Sequence, residues 1–261
     1  GYEFDAAETR ILIHTAVTPI YRRSFTTNYY VFQIARNELQ PLSTEHQPQQ
    51  MASFSPNGRM VAFAYNNNLY LKKLDYNTVS AITTDGEKNR VINGTPDWVY
   101  EEEFSCRDGF CWSADSKFIA YWNSNTAGTG WFNIINNVDS IYPTVQQFPY
   151  PKAGTTNSAV KVGFVDVDTQ STTWVPIPGD ERNNYIPRME FVPGTDRLMI
   201  QQMNRAQSLN TVWTVDIEDA DASDLHVLCT DQDEAWVETN DNIHFLQGNK
   251  YFTFTSERDG Y

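Results

Sequence analysis

The sequence predicts an all-β protein, a β-propeller of four-stranded antiparallel blades with one short helix. Two observations predict the blades: a turn-plus-strand unit recurs along the chain, and apolar residues alternate with polar ones in its strands. In addition, no low-complexity linker divides the 261 residues. Small sheets that stack on their neighbours bury a continuous core, as repeat architectures do.

The recurring unit consists of an aromatic residue, a turn and a strand. Its four occurrences are FSPNGR before MVAFAY at Phe54, WSADSK before FIAYW at Trp112, FVPGTD before RLMIQQ at Phe191, and FLQGNK before YFTFTS at Phe245. Pro, Gly, Asn and Asp close tight turns, and every second residue of the following strand faces one side of the sheet. The segments NLYLKKL and AITTDG add two strands to the first unit. Together they predict a four-stranded blade.

The opening segment, with ILIHTAV, NYYVFQI and LQPLST, is interpreted as a blade that has lost its leading turn. We therefore expect about four or five blades, with insertions because the units lie further apart than in compact propellers. The largest insertion lies between Trp122 and Val160. The final turn, ERDGY, should lead into another strand, so the ring is expected to be incomplete within this chain.

Composition excludes some partners. The formal net charge of -14 opposes nucleic acid, whose phosphates are bound by Lys and Arg. No apolar run is long enough for a membrane span, and the first residues lack the pattern of a signal peptide. Because the chain begins at Gly1, we interpret it as a processed or truncated product, and an original leader or anchor stays open.

No cofactor or metal is expected. Cys106, Cys111, His226 and Cys229 do not form two matching ligand pairs, which favours ordinary core cysteines over a zinc site. An odd number of cysteines allows one disulfide and requires none. The sequence also lacks G-x-S-x-G, H-E-x-x-H and the glycine-rich nucleotide motifs, so no catalytic residue is predicted.

The segment TPDWVYEEEFS carries three consecutive carboxylates between aromatic residues. A strand would send Glu102 and Glu103 to opposite faces, whereas a helical turn brings them together. We predict a short helix at about Asp97 to Phe104, with Thr95 as N-cap and Pro96 at its first position. Its aromatic residues indicate partial burial, and Glu101 has no assigned role.

Adjacent carboxylates suit a primary ammonium group, which has three donors. An acidic turn facing solvent is the simpler alternative. A glycosidase pair is disfavoured, because adjacent residues on one turn are poorly placed to flank opposite sides of a glycosidic bond.

Two segments, DWVYEEEF and PYPKAGTTNSAVKV, resemble the dipeptidyl peptidase IV family. The resemblance extends from YRRSFTTNYYVF to TSERDGY and covers the family's N-terminal propeller. It implies an eight-bladed propeller that caps a C-terminal α/β-hydrolase domain with a Ser, Asp and His triad. Such enzymes release dipeptides with Pro or Ala at the second position. Residues 1–261 are then a partial propeller domain without the hydrolase domain, expected to be inactive alone.

The resemblance also implies site residues. Glu102 and Glu103 match the glutamates that hold the substrate's α-ammonium, and Arg22 matches an arginine near the substrate carbonyl. Ser105 falls near a position that lines the pocket, although EEEFS is one residue shorter here than in some members. The segment AWVETN lacks the Arg-Phe that some members place beside the substrate.

The partners implied are peptides with a free N-terminus, the protein's own hydrolase domain and a second copy bound through residues 130–148. A periplasmic or secreted, cell-envelope setting is expected. The alternative from another class is a stand-alone propeller that binds a peptide or protein without catalysis.

Overall fold

The computed structural model describes residues 1–217, 222 and 224–260. Three four-stranded sheets and one five-stranded sheet follow one another along the chain, and all their pairings are antiparallel. The architecture confirms the predicted propeller blades. An eight-bladed ring stays a prediction, because the described residues supply four blades and the start of a fifth.

Blade one begins earlier than the sequence predicted. Its strands are β1 (Tyr2–Phe4), β2 (Arg10–Pro19), β3 (Phe25–Gln33) and β4 (Glu38–Pro41). The interpretation that this blade lacks its leading turn was wrong. The turn lacks Gly and Pro and is closed by Asp5, whose Oδ1 accepts hydrogen bonds from Thr9 N (2.6 Å) and Arg10 N (2.9 Å).

Blade two follows the predicted unit. Its strands are β5 (Met51–Phe54), β6 (Met60–Tyr65), β7 (Asn68–Lys73) and β8 (Thr78–Ala81). Gly58 has a φ of +67°, the left-handed conformation that its turn needs. Asn66 and Asn67, both with positive φ, form the tight reversal between β6 and β7.

In blade three, the segment that carries the helix interrupts one edge of the sheet. Its strands are β9 (Val91–Asn93), β10 (Phe110–Trp112), β11 (Phe118–Asn125), β14 (Ala159–Asp166) and β15 (Thr172–Trp174), and the helix α1 is Trp98–Glu102. Strands β9 and β10 pair with successive parts of the same edge of β11. At Trp122, Gly94 N donates to the carbonyl and the Trp122 N–H donates to Gly109 O. Residues 95–108 leave the sheet between these two glycines.

The large insertion of blade three forms a hairpin between β11 and β14. Its strands are β12 (Trp131–Asn136) and β13 (Thr144–Pro149), and among the described residues they pair only with each other. We call residues 131–149 the arm. Its outer part exposes apolar side chains, and Ile141 is 96% exposed.

Blade four has the strands β16 (Asn184–Phe191), β17 (Arg197–Asn204), β18 (Leu209–Asp216) and β19 (Leu225–Gln232). The hairpin of β20 (His244–Leu246) and β21 (Tyr251–Thr253) follows and agrees with the expected beginning of a further blade. Tyr261, the last residue of the ERDGY turn, lies outside the described residues.

The largest buried cluster joins blades three and four to the helix. Val99, Tyr100 and Phe104 pack there with apolar side chains of both blades, including Trp122 and Ile200. The aromatic residues of the acidic segment therefore belong to the core, as predicted. None of the helices among the described residues has the length and hydrophobicity that a membrane span requires.

Candidate functional site

The helix begins at Asp97. Asp97 has an extended backbone, and its Oδ1 accepts a hydrogen bond from Tyr100 N at 3.0 Å, as an N-cap does. The predicted N-cap Thr95 was wrong, and Pro96 precedes the cap. Ser158 Oγ donates to the other oxygen of Asp97 at 2.7 Å, which fixes the carboxylate as the cap.

Tyr100 anchors the helix to blade four. Its hydroxyl accepts a hydrogen bond from Ile186 N at 2.8 Å, and its ring lies 5.5 Å from that of Trp122. Burial raises the pKa of Tyr100 well above its usual value. The side chain is a neutral, packed anchor, which gives the helix a fixed position on the blade.

The end of the helix faces a guanidinium group. Glu103 is the C-cap, and no basic residue lies in the last turn of the helix. Arg188 Nη1 donates to Phe104 O at 2.9 Å, while its Nε donates to Asp241 at 2.6 Å. Arg188 thus links the residue after the C-cap to Asp241, and because its charge is paired with Asp241 it does little to offset the cost of negative charge at the helix end.

Arg22 and Glu102, predicted from distant parts of the sequence, lie together. Arg22 Nε donates to both oxygens of Glu102, at 2.8 and 3.2 Å. The side chain of Arg22 is 71% exposed, and that of Glu102 is 17% exposed. Such a pair contributes about 0–1 kcal/mol, so it does not by itself fix the geometry. The structure thus brings a carboxylate and an accessible cation to one surface.

Glu103 and Ser105 follow Glu102 closely in the sequence, and both are exposed. Ser105 has a φ of +57°, so the chain turns sharply directly after the helix. The N–H of Cys106 then donates to Tyr100 O at 3.0 Å and closes this turn. The roles of Glu102, Glu103, Arg22 and Ser105 as ligands of a substrate stay predictions.

Glu101 is the residue that the sequence analysis left without a role. It is 0% exposed, and its Oε1 accepts hydrogen bonds from Arg23 N at 2.5 Å and Ser24 N at 2.9 Å. The sequence contains one signal that Glu101 is buried: it lies four residues after Asp97, and residues four apart share a helix face. The partners of Glu101 could not be predicted, because they lie in another blade.

A cleft of about 750 Å³ lies next to the start of the helix. Tyr21, Asp97, Trp98 and Gln146 are among the residues that line it, whereas Glu102 and Glu103 are not. The two glutamates are therefore not part of the lining of this cleft. Near the end of the chain, Trp236 of the AWVETN segment is half exposed, and its Nε1 donates to Glu238 at 2.9 Å.

The cysteines are free thiols in this structure. Burial raises the pKa of Cys106 and of Cys111 to about 12, which keeps both protonated and unreactive. Among the described residues, no group of three His, Cys, Asp or Glu side chains is arranged to hold a metal ion.

Fold and site together define a β-propeller region with an acidic helix inserted in a blade edge and an arginine beside it. The chain belongs to the dipeptidyl peptidase IV (DPP IV) N-terminal region family, whose model matches residues 5–261.

Relatives and solved structures agree with this membership. The chain is 31% identical to a probable dipeptidyl-aminopeptidase B of Talaromyces stipitatus and 32% identical to one of Aspergillus niger, over 90% and 87% of its length. It spans 28% and 27% of those relatives. A crystal structure of Porphyromonas gingivalis dipeptidyl peptidase 4 matches 99% of the chain with a TM-score of 0.91 and 34% identity, over 36% of that chain. A Bacteroides ovatus structure, a putative dipeptidyl aminopeptidase IV, matches with a TM-score of 0.71 and 21% identity, which supports the fold alone.

Proposed function

We propose that this chain is the substrate-gating, N-terminus-binding propeller of a dipeptidyl peptidase IV-like serine peptidase that releases X-Pro and X-Ala dipeptides. The observation that carries the proposal is the acidic helix: Glu102 and Glu103 follow each other at its end, and Arg22 lies 2.8 Å from Glu102. Catalysis is assigned to a companion α/β-hydrolase domain with a Ser, Asp and His triad.

The recognised group is the free α-ammonium of a peptide. An ammonium has three donors, and two neighbouring carboxylates supply charged acceptors for them. Arg22 is exposed and lies beside Glu102, so its guanidinium is suited to a carbonyl oxygen of the same peptide. Acetylation of the peptide would remove the positive charge and leave the carboxylates without a partner. We therefore expect strong rejection of blocked N-termini.

The propeller then acts as a length gauge. A peptide whose ammonium is fixed at the helix can place only its second peptide bond at a nucleophile held a set distance away. Dipeptide release follows from this geometry, with the hydrolase domain selecting Pro or Ala at the second position.

The test uses the full-length protein and a Gly-Pro chromogenic substrate, free or N-acetylated. We expect Glu102→Gln and Glu103→Gln each to lower kcat/KM for the free substrate by about tenfold or more. The exposed Glu45 is the matched control, since Glu45→Gln removes the same charge far from the helix in sequence. Near-normal activity of both helix variants would overturn the proposal. A parent protein without a hydrolase domain would instead support a stand-alone binding module.

We further propose that the arm mediates homodimerisation. Its strands and the turn between them expose apolar side chains, including Trp131, Ile135 and Ile141. Exposed apolar area of this kind is costly in water and marks interaction surfaces. A second copy satisfies it symmetrically, because the same surface is present on both partners.

A further inference from the structure

We infer that Glu101 is a positioning residue, which holds Arg22 at its working distance from Glu102 and Glu103 by binding the backbone of the Arg22 loop. The Arg22 loop is residues 20–24, between β2 and β3. This inference rests on the proposed function of the acidic helix and adds a role for the one glutamate of the three that does not face a ligand.

The Arg22 loop is a small, closed turn. Ile20 N donates to Ser24 O at 2.8 Å, and Arg22 lies at the tip of the loop with its side chain largely in solvent. Tyr21 packs on the arm, with its ring 5.3 Å from that of Phe148. The loop therefore has an internal shape, but its position relative to the helix depends on contacts across the blades.

Glu101 provides the buried contact between loop and helix. One oxygen accepts two backbone N–H groups, those of Arg23 and Ser24, which directly follow Arg22 in the chain. Hydrogen bonds to an ionised acceptor are stronger than neutral ones, and burial removes competing water. In the Arg22–Glu102 pair the acceptor is also a carboxylate, but the Arg22 side chain is 71% exposed, so water competes for its guanidinium. The loop is thus placed by Glu101, and Arg22 follows it.

A second observation separates Glu101 from its neighbours. Its Oε2 is buried and has no hydrogen-bond partner among the described residues, and the same holds for Ser24 Oγ. The negative charge also affects the surroundings: burial and then the charges of Asp97 and Glu101 raise the pKa of Tyr21 to about 12. Burying a carboxylate that accepts only two N–H groups costs free energy, and this cost argues against a purely space-filling role for Glu101.

The experiment compares Glu101→Ala and Glu101→Gln in the full-length protein. Without the acceptor, the loop loses its contact with the helix, and we expect KM for a free Gly-Pro substrate to rise about tenfold or more while kcat changes less. Glutamine keeps one oxygen in the same place, so Glu101→Gln should recover most of the wild-type KM. Trypsin should also cut Glu101→Ala faster after Arg22 and Arg23, a readout that is independent of activity.

The matched control is Asp5→Ala. Asp5 is also a buried carboxylate with one oxygen that accepts two backbone N–H groups, but it lies at the opposite end of β2. The Asp5→Ala variant should be less stable than the wild type but keep the wild-type KM. The inference is overturned if Glu101→Ala keeps the wild-type KM and trypsin resistance, or if Asp5→Ala raises KM equally. A defect in Glu102→Gln with normal Glu101→Ala would reject only the positioning role, whereas normal activity of both Glu102→Gln and Glu103→Gln would reject the proposed function.

Discussion

Ser158 Oγ donates a 2.7 Å hydrogen bond to Asp97 Oδ2, so the residue just before β14 holds the N-cap of the acidic helix. The two segments that carry the family resemblance, DWVYEEEF and PYPKAGTTNSAVKV, are therefore in direct contact. Ser158 lies in the second segment and Asp97 opens the first. One segment supplies the buried hydroxyl that donates to the carboxylate of the other.

Loss of this hydroxyl should destabilise the blade. Ser158→Ala leaves a buried carboxylate oxygen without its donor, and we expect the free energy of unfolding to fall by about 1.5–3 kcal/mol. Urea denaturation of the full-length protein, followed by fluorescence, measures it. Ser171→Ala is the control, because Ser171 is exposed in a turn of the same blade. Equal stabilities of the two variants would contradict the prediction.

Asp97 should make stability depend on pH. Burial raises the pKa of Asp97 above its usual 3.8, although hydrogen bonds from Tyr100 and Ser158 oppose the rise. The folded state then binds the proton more tightly than the unfolded state. Its stabilising effect is fully present below pH 3.8 and is lost as pH rises through the folded pKa.

The comparison of wild type with Asp97→Asn isolates this effect. Asparagine is also a good N-cap but does not titrate in this range. The stability of wild type relative to Asp97→Asn should therefore decrease as pH rises from 3.8 toward neutrality. A constant difference across that range in denaturation series would show that Asp97 has an unshifted pKa.

Gly109 should not accept a side chain. A Cβ at this position would lie 2.4 Å from the backbone of Gly94 and Thr95, where the chain leaves the sheet and returns. We expect Gly109→Ala to cost about 1–3 kcal/mol of stability and to disturb the helix. At Gly130 a Cβ would meet only Tyr150 O at 3.9 Å, so Gly130→Ala is the control. Thermal unfolding that does not distinguish the two would refute this prediction.

The arm should control oligomeric state through its outer residues. We expect Ile135→Ser combined with Ile141→Ser to convert a dimer of the full-length protein into a monomer, measured by light scattering. Removal of residues 130–148 is a poorer experiment, because Phe148 is buried and its ring lies 6.2 Å from that of Trp98 on the helix. An unchanged mass for the double variant would count against the arm as the interface.

Blades could be predicted from the sequence because their signals are local. The turn of FSPNGR uses Gly58 with positive φ, and that of WSADSK uses Ser116 at +66° with Asp115 Oδ1 accepting from Lys117 N. Blade one was only partly predicted, because its first turn depends on Asp5 and contains no Gly or Pro. Gly and Pro therefore mark a strand boundary in the sequence only where the turn conformation requires one of them.

Sequence analysis named the residues of the candidate site but could not predict their contacts. Glu102, Glu103 and Arg22 came from resemblance, and the helix came from the requirement that two carboxylates share one side. Its N-cap was misplaced because Thr95 and Asp97 are both acceptable caps, and only Ser158, far along the chain, favours one of them. The proposed role of Glu101 could not be predicted from the sequence, because it depends on which loop of another blade lies against the helix.

The hydrogen bonds that build the candidate site join residues 61 to 86 positions apart, from Asp97 to Ser158 and from Tyr100 to Ile186. Closing such long loops costs chain entropy before any contact repays it, whereas the turns within a blade form locally. The helix can take its final place only once blades one, three and four have stacked. We therefore expect the contacts of the candidate site to be completed late in folding, so that a chain with one undocked blade has strands without the assembled site.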